Sequence, residues 1–203
     1  MSQHSVSASH RRGDFIWSLT LREALALILI ADLMILGKML LRIPIHVPGH
    51  SGIVWVALMV IGWGMVPKRG AGLLMGLIAG ALAALFGMGS QGVLNGVRYA
   101  AAGFTLDVLA MAFRGRLTNF VAAALVGAAA HMAKLVSMIL VGLIMRYPLR
   151  FLAAGLGLAA TTHVVFGALG GLLGALVLRQ LHHMPAFKDR HAGEPPLGHG
   201  APR

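Results

Sequence analysis

The chain contains no cysteine. Disulfides and thiolate metal sites are therefore excluded, and the redox compartment is not readable. Acidic residues are nearly as scarce, with six Asp and Glu against seventeen Lys and Arg in 203 residues. Charged residues of both signs amount to 11%, which is too few to clothe a soluble domain. What is present instead is apolar: 58% of residues are hydrophobic and the mean hydropathy is +0.81. Glycine (27) and methionine (12) are abundant. Both suit helices packed closely inside a membrane. The net charge of +11 does not point to nucleic acid, because the basic residues are scattered between apolar runs as headgroup flanks.

An apolar span of about 20 residues crosses the hydrocarbon core. Six such segments are expected, at Arg22 to Leu41, Gly52 to Val66, Gly70 to Gly87, Asn95 to Phe113, Leu117 to Met145 and Phe151 to Arg179. The expected fold is an all-α integral membrane protein, a six-transmembrane-helix bundle with a structured outer loop between helices 1 and 2. Residues 1–21 read as a polar basic tail, 22–180 as the transmembrane domain, and 181–203 as a disordered tail rich in His, Pro and Gly. The apolar run after Arg22 is too long for a cleaved signal peptide and reads as a retained first helix.

Six spans put both termini on one side. That side holds eleven of the Lys and Arg residues, including the tight turns "PKRG" (67–70) and "RGR" (114–116), and six lie on the other side or within the membrane. The positive-inside rule then places both termini in the cytoplasm. The segment "RIPIHVPGHSGIVW" (42–55) faces outside. His46 and His50 are four apart, but Pro44, Pro48 and Gly49 oppose the helix that would make them a metal-binding pair. A stiff polar loop acting as lid or gate is the expectation. Trp55, just after it, fits an interfacial anchor or a surface for ring stacking.

Small residues recur in register. Gly72, Gly76 and Gly80 fall on one face of helix 3. That face serves internal packing or docking of another membrane subunit. In helix 6, Gly167 pairs with Gly171 and Gly170 with Gly174 in the same spacing. Polar residues stand at costly depth: Asp32 and Lys38 in helix 1, Asp107 in helix 4, His131 and Lys134 in helix 5, and Thr161, Thr162 and His163 in helix 6. Counted at ~1.5 Å per residue from the outer helix ends, Asp32, Asp107, His131 and His163 fall near mid-membrane, where they could share one layer. They would satisfy one another, floor a binding cavity or form a proton path. Nearer the outside, Asn95, Arg98 and Tyr99 open helix 4. With His46 and His50 they bring several donors to one mouth, as an anionic or polar ligand requires.

The six-helix layout, the "PIHVPGHSGIVW" loop, the "VPKRGAGLLMGLIAGALAALFG" hairpin and "GVRYAAAGFTLDVLA" resemble the substrate-binding S components of energy-coupling factor (ECF) transporters, over residues 22–180. The resemblance implies a ligand in the outer half of the bundle under the loop between helices 1 and 2. It also implies a membrane coupling subunit and two cytoplasmic ATPases as partners, with no cofactor or nucleotide site on this chain. No "GxxxxGK[ST]" phosphate loop occurs. The family's alanine pairs four apart on helix 1 are missing, since Ile28, Ile30 and Ile35 follow Ala24, Ala26 and Ala31 at that spacing.

The leading expectation is a non-enzymatic subunit that captures a small polar nutrient (a vitamin, its precursor or a transition metal) at the cytoplasmic membrane. His46, His50, Trp55, Asn95, Arg98 and Tyr99 would form the mouth, with His131, Lys134 and His163 below. The alternatives are a membrane metalloenzyme using His131, His163 and Asp107, and a structural or assembly protein.

Overall fold

The computed structural model describes residues 19–40, 49–88, 94–148, 150 and 155–184. These form six α-helices: α1 (Leu21–Leu40), α2 (Gly52–Met65), α3 (Ala71–Leu85), α4 (Leu94–Ala112), α5 (Phe120–Ile144) and α6 (Leu156–His183). The all-α expectation is met, with boundaries set by local chemistry. Thr20 and Glu23 close a capping box on α1: the Thr20 amide donates to Glu23 Oε2 at 2.7 Å and the Glu23 amide to Thr20 Oγ1 at 3.3 Å. The fifth helix starts at Phe120 rather than Leu117, because the Asn119 side chain caps it by accepting from the amides of Val121 and Ala122. The sixth helix is described from Leu156 and continues past Arg179 to His183. Residues 181–183 of the expected tail are thus helical. The helix stops at Met184, whose extended backbone is what a following proline imposes. The remainder of both tails lies outside the described residues.

The helices form a closed circuit of neighbours, α1–α2–α6–α5–α4–α3 and back to α1. The central position belongs to α2, which also touches α3, α4 and α5 and has no exposed residue along its length. Trp55, Val56, Met59, Val60 and Trp63 fill the middle of the bundle. At the end where α1 begins, Lys68 in the α2–α3 turn pairs with Glu23 at 2.7 Å.

Glycines set the spacing between helices. Cβ atoms added at Gly72, Gly76 and Gly80 would run into the α4 backbone at Gly103, Tyr99 and Gly96 respectively, in antiparallel register. The glycine row on α3 is therefore an internal seam, and no partner subunit can dock on it. On α6, Gly167 and Gly171 meet the α5 backbone at Gly127 and Ala123, while Gly170 and Gly174 meet α2 at Ile53 and Ala57. One helix thus lies close to two neighbours through two glycine rows.

The outer surface is apolar as well. On α5, Val121, Leu125, Leu140 and Ile144 are exposed, as are Leu158, Leu169, Leu173 and Leu176 on α6. These two helices, 25 and 28 residues long, are each long and apolar enough to cross a membrane.

Candidate ligand-binding site

A cavity of about 290 Å³ opens between the start of α2 and the facing sides of α4, α5 and α6. On α5, His131, Lys134, Leu135 and Met138 line it, a spacing that puts all four on one helix face. Arg98 comes from α4, Ala159 and His163 from α6, and Gly49 and Ser51 from the turn that leads into α2.

The two histidines form its centre, with ring centroids 4.3 Å apart and planes tilted by 37°. His163 Nδ1 donates to the Ala159 carbonyl at 2.7 Å, leaving Nε2 as the nitrogen not held by the helix. His131 is buried against the edge of Trp55, at 5.2 Å between centroids. Its Nδ1 is a buried polar atom without a hydrogen-bond partner, and so is Trp55 Nε1. Such atoms are uncommon in a finished core and mark places where a further group completes the bonding.

Glycine is required at both ends of the turn that covers the rings. Gly49 has φ +81°, and a Cβ there would stand 3.0 Å from His163 Nδ1. A Cβ on Gly52 would strike the His131 ring itself. Gly49 and Gly52 are thus held to glycine by the two imidazoles.

Lys134 is half-buried, and its ammonium lies over two aromatic faces: 3.9 Å from the Tyr99 ring centroid and 4.5 Å from that of Trp55. Each cation–π contact contributes about 0.5–2 kcal/mol, which offsets only part of the several kcal/mol lost when an ion leaves water. Tyr99 is fully buried beneath it and accepts from Lys38 Nζ at 3.3 Å. Two ammonium groups, of Lys38 and Lys134, therefore stand at this aromatic floor, and Arg98 lines the same cavity as Lys134.

The three acids among the described residues, Glu23, Asp32 and Asp107, are elsewhere. Glu23 pairs with Lys68. Asp107 is at the start of α3, where its Oδ1 accepts from Trp63 Nε1 and the Gly72 amide, both at 2.9 Å, and its Oδ2 from the Leu73 amide at 2.8 Å. It caps α3 and does not join the histidines, which corrects the expected single layer and removes the third ligand of a His131–His163–Asp107 metal centre. Asp32 is exposed in an apolar groove between α1 and α3, beside Leu29, Leu33 and Phe86. It also takes no part in the layer, because it sits opposite the buried stripe of Leu27, Ile30, Ala31, Met34 and Ile35.

Comparison with protein-family models, curated proteins and solved structures finds no match.

Of the residues singled out from sequence, Arg98, His131, Lys134 and His163 meet at the cavity, with Trp55 and Tyr99 behind them. Trp55 is 1% exposed, so it is a core residue and not an interfacial anchor. Asn95 is buried and donates to the Met88 carbonyl, tying α4 to the end of α3 instead of lining the mouth. His50 is half-buried in the covering turn and does not line the cavity. His46 lies outside the described residues. Thr161 and Thr162 return their hydroxyls to carbonyls of their own helix. Sequence reasoning did not single out Leu135 and Met138, although their spacing from His131 places them on its face. It also missed Trp63 as the partner of Asp107.

Proposed function

We propose that the chain is the substrate-binding subunit of a membrane uptake system, capturing a small polar nutrient from outside for transport energised by partner ATPase subunits. The observation that carries this reading is the cavity itself, roughly 290 Å³, lined from four elements and furnished with two adjacent imidazoles and two cationic side chains beside an apolar wall. Its size is just below the ~300–1,000 Å³ typical of pockets for drug-sized ligands, as a small metabolite needs.

Insertion in the cytoplasmic membrane is supported by the apolar exterior of α5 and α6, because contiguous exposed hydrocarbon of this extent has no stable place in water. In this reading all six helices lie within the bilayer and both termini are cytoplasmic. At 14 and 15 residues, α2 and α3 rise only about 21–23 Å, less than the ~30 Å hydrocarbon core. For α2 the shortfall is harmless, since protein surrounds it. A coupling subunit would have to meet a surface other than the α3 glycine row, which α4 covers.

The test is native mass spectrometry of the chain extracted gently from its own membrane, with uptake measured in parallel. A small molecule should travel with the chain. Arg98→Ala should weaken its binding by about 10- to 100-fold while the helical content is kept. A bare chain that supports no uptake refutes the reading.

A further inference from the structure

We propose that the ligand of this cavity is a small organic anion, a carboxylate or phosphate carried on a compact apolar body, lying along α5 with its charged end at Lys134 and Arg98. This deepens the capture reading and rests on it.

The first argument is the charge census. The chain has six acidic residues, and three of them fall in the described structure. Each is accounted for away from the cavity: Glu23 with Lys68, Asp107 capping α3, and Asp32 on the outer face of α1. Lys134 nevertheless turns its ammonium inward over Tyr99 and Trp55. Aromatic faces attract a cation but do not neutralise it. A site with this lining repels cationic ligands and gives a neutral one no reason for the lysine.

The second argument is the mixed character of the wall. Lys134 and Arg98 bring cationic groups to it, and Leu135, Met138 and Ala159 supply apolar surface. The two imidazoles stand among them as hydrogen-bonding groups. A free inorganic anion would leave the apolar wall unused, whereas a neutral hydrocarbon would leave the cations unused. The cavity volume admits one small molecule with both parts. The third argument is independent of charge: His131 Nδ1, on a residue only 2% exposed, is buried and unpartnered at this site. It signals a site that is incomplete without an added group.

The decisive variant is Lys134→Met, which keeps an unbranched apolar stem, one atom shorter, to pack against the rings while removing the charge. Wild type and variant are purified as full chains in lipid nanodiscs. Folding is checked by helical content and monodispersity. Co-purifying molecules are identified by native mass spectrometry followed by release. Binding of benzoate and phenyl phosphate is titrated against the matched neutral and cationic probes, benzamide and benzylammonium. The expected result is an acidic molecule carried by the wild type, preference for the two anionic probes, and loss of affinity on the order of 100-fold in the folded variant. A neutral or basic co-purifying molecule overturns the anion assignment but leaves the capture reading standing. Equal anion binding by wild type and folded Lys134→Met also overturns it. A wild type that carries nothing and binds none of the four probes overturns both. Should Lys134→Met fail to fold, Lys134→Gln, which keeps a polar tip without the charge, decides by the same measurements.

Discussion

Asp107 offers the sharpest test of the fold, because its carboxylate accepts from two buried donors and one part-buried donor. Gly72 and Leu73 lie in the first turn of α3, where amides have no partner within the helix. The third donor is the indole of Trp63 from the central helix. Hydrogen bonds to a charged group contribute about 1.5–3 kcal/mol each, and a buried donor left without a partner costs about 1–3 kcal/mol. Asp107→Ala orphans all three. Some fraying and hydration of the α3 start would soften the loss, so about 3–5 kcal/mol of destabilisation is expected. Asp107→Asn keeps one acceptor oxygen but turns its amide towards one of the donors. It should lose about 1–3 kcal/mol, and Trp63→Phe should lose less than Asp107→Ala because it deletes a single bond. The assay is denaturant or thermal unfolding of the detergent-solubilised protein, followed by circular dichroism. Ligand binding below the transition should be unchanged, since Asp107 does not line the cavity. A folded Asp107→Ala variant within about 0.5 kcal/mol of wild type would refute the capping role. Lost binding with unaltered stability would return Asp107 to the histidine layer.

Four further outcomes are expected. Gly103→Ala, whose new methyl would meet the α3 backbone at Gly72, should destabilise by about 1–3 kcal/mol, whereas Gly157→Ala, with open space around it, should stabilise α6 by up to about 1 kcal/mol; unfolding midpoints compare the two directly. Gly52→Ala should displace the His131 ring and abolish ligand binding with retained helical content, measured by titration and circular dichroism. Arg146→Gly relieves a left-handed backbone (φ 58°) at the end of α5 and should raise stability by about 0.5–1 kcal/mol, read from the unfolding midpoint. Glu23→Gln removes a half-exposed ion pair with Lys68 and should cost under about 1 kcal/mol, with the difference shrinking in high salt.

Local features of the fold were legible from residues alone. Length and apolarity located six helices to within a few residues, because helix formation needs only the chain itself and its punctuation by Gly, Pro and caps. Several ends moved for equally local reasons that were present but unread: the Thr20–Glu23 capping box, the Asn119 cap before α5, and the continuation of α6 to His183, where Met184 before Pro185 ends it. Spacing also showed that Gly72, Gly76 and Gly80 share a face, and that His131 and Lys134 do.

The tertiary structure alone decided what those faces meet. Counting residues along a helix gives depth but neither azimuth nor partner. Depth put Asp32 and Asp107 beside the histidines, yet azimuth turns Asp32 away from the core, and the antiparallel seam with α3 brings Asp107 to the amides of Gly72 and Leu73. In a water-soluble helix the polar face would have revealed the azimuth. Here the outward face is as rich in leucine as the inward one, so hydrophobic periodicity fades and the sequence loses its usual indicator of inside and outside. The meeting of Gly49 and Gly52 with two imidazoles, and of Lys134 with two aromatic rings, joins residues up to 114 positions apart in the chain. Such meetings follow from which helices are neighbours, and that is settled by close packing at glycine seams summed over the whole bundle.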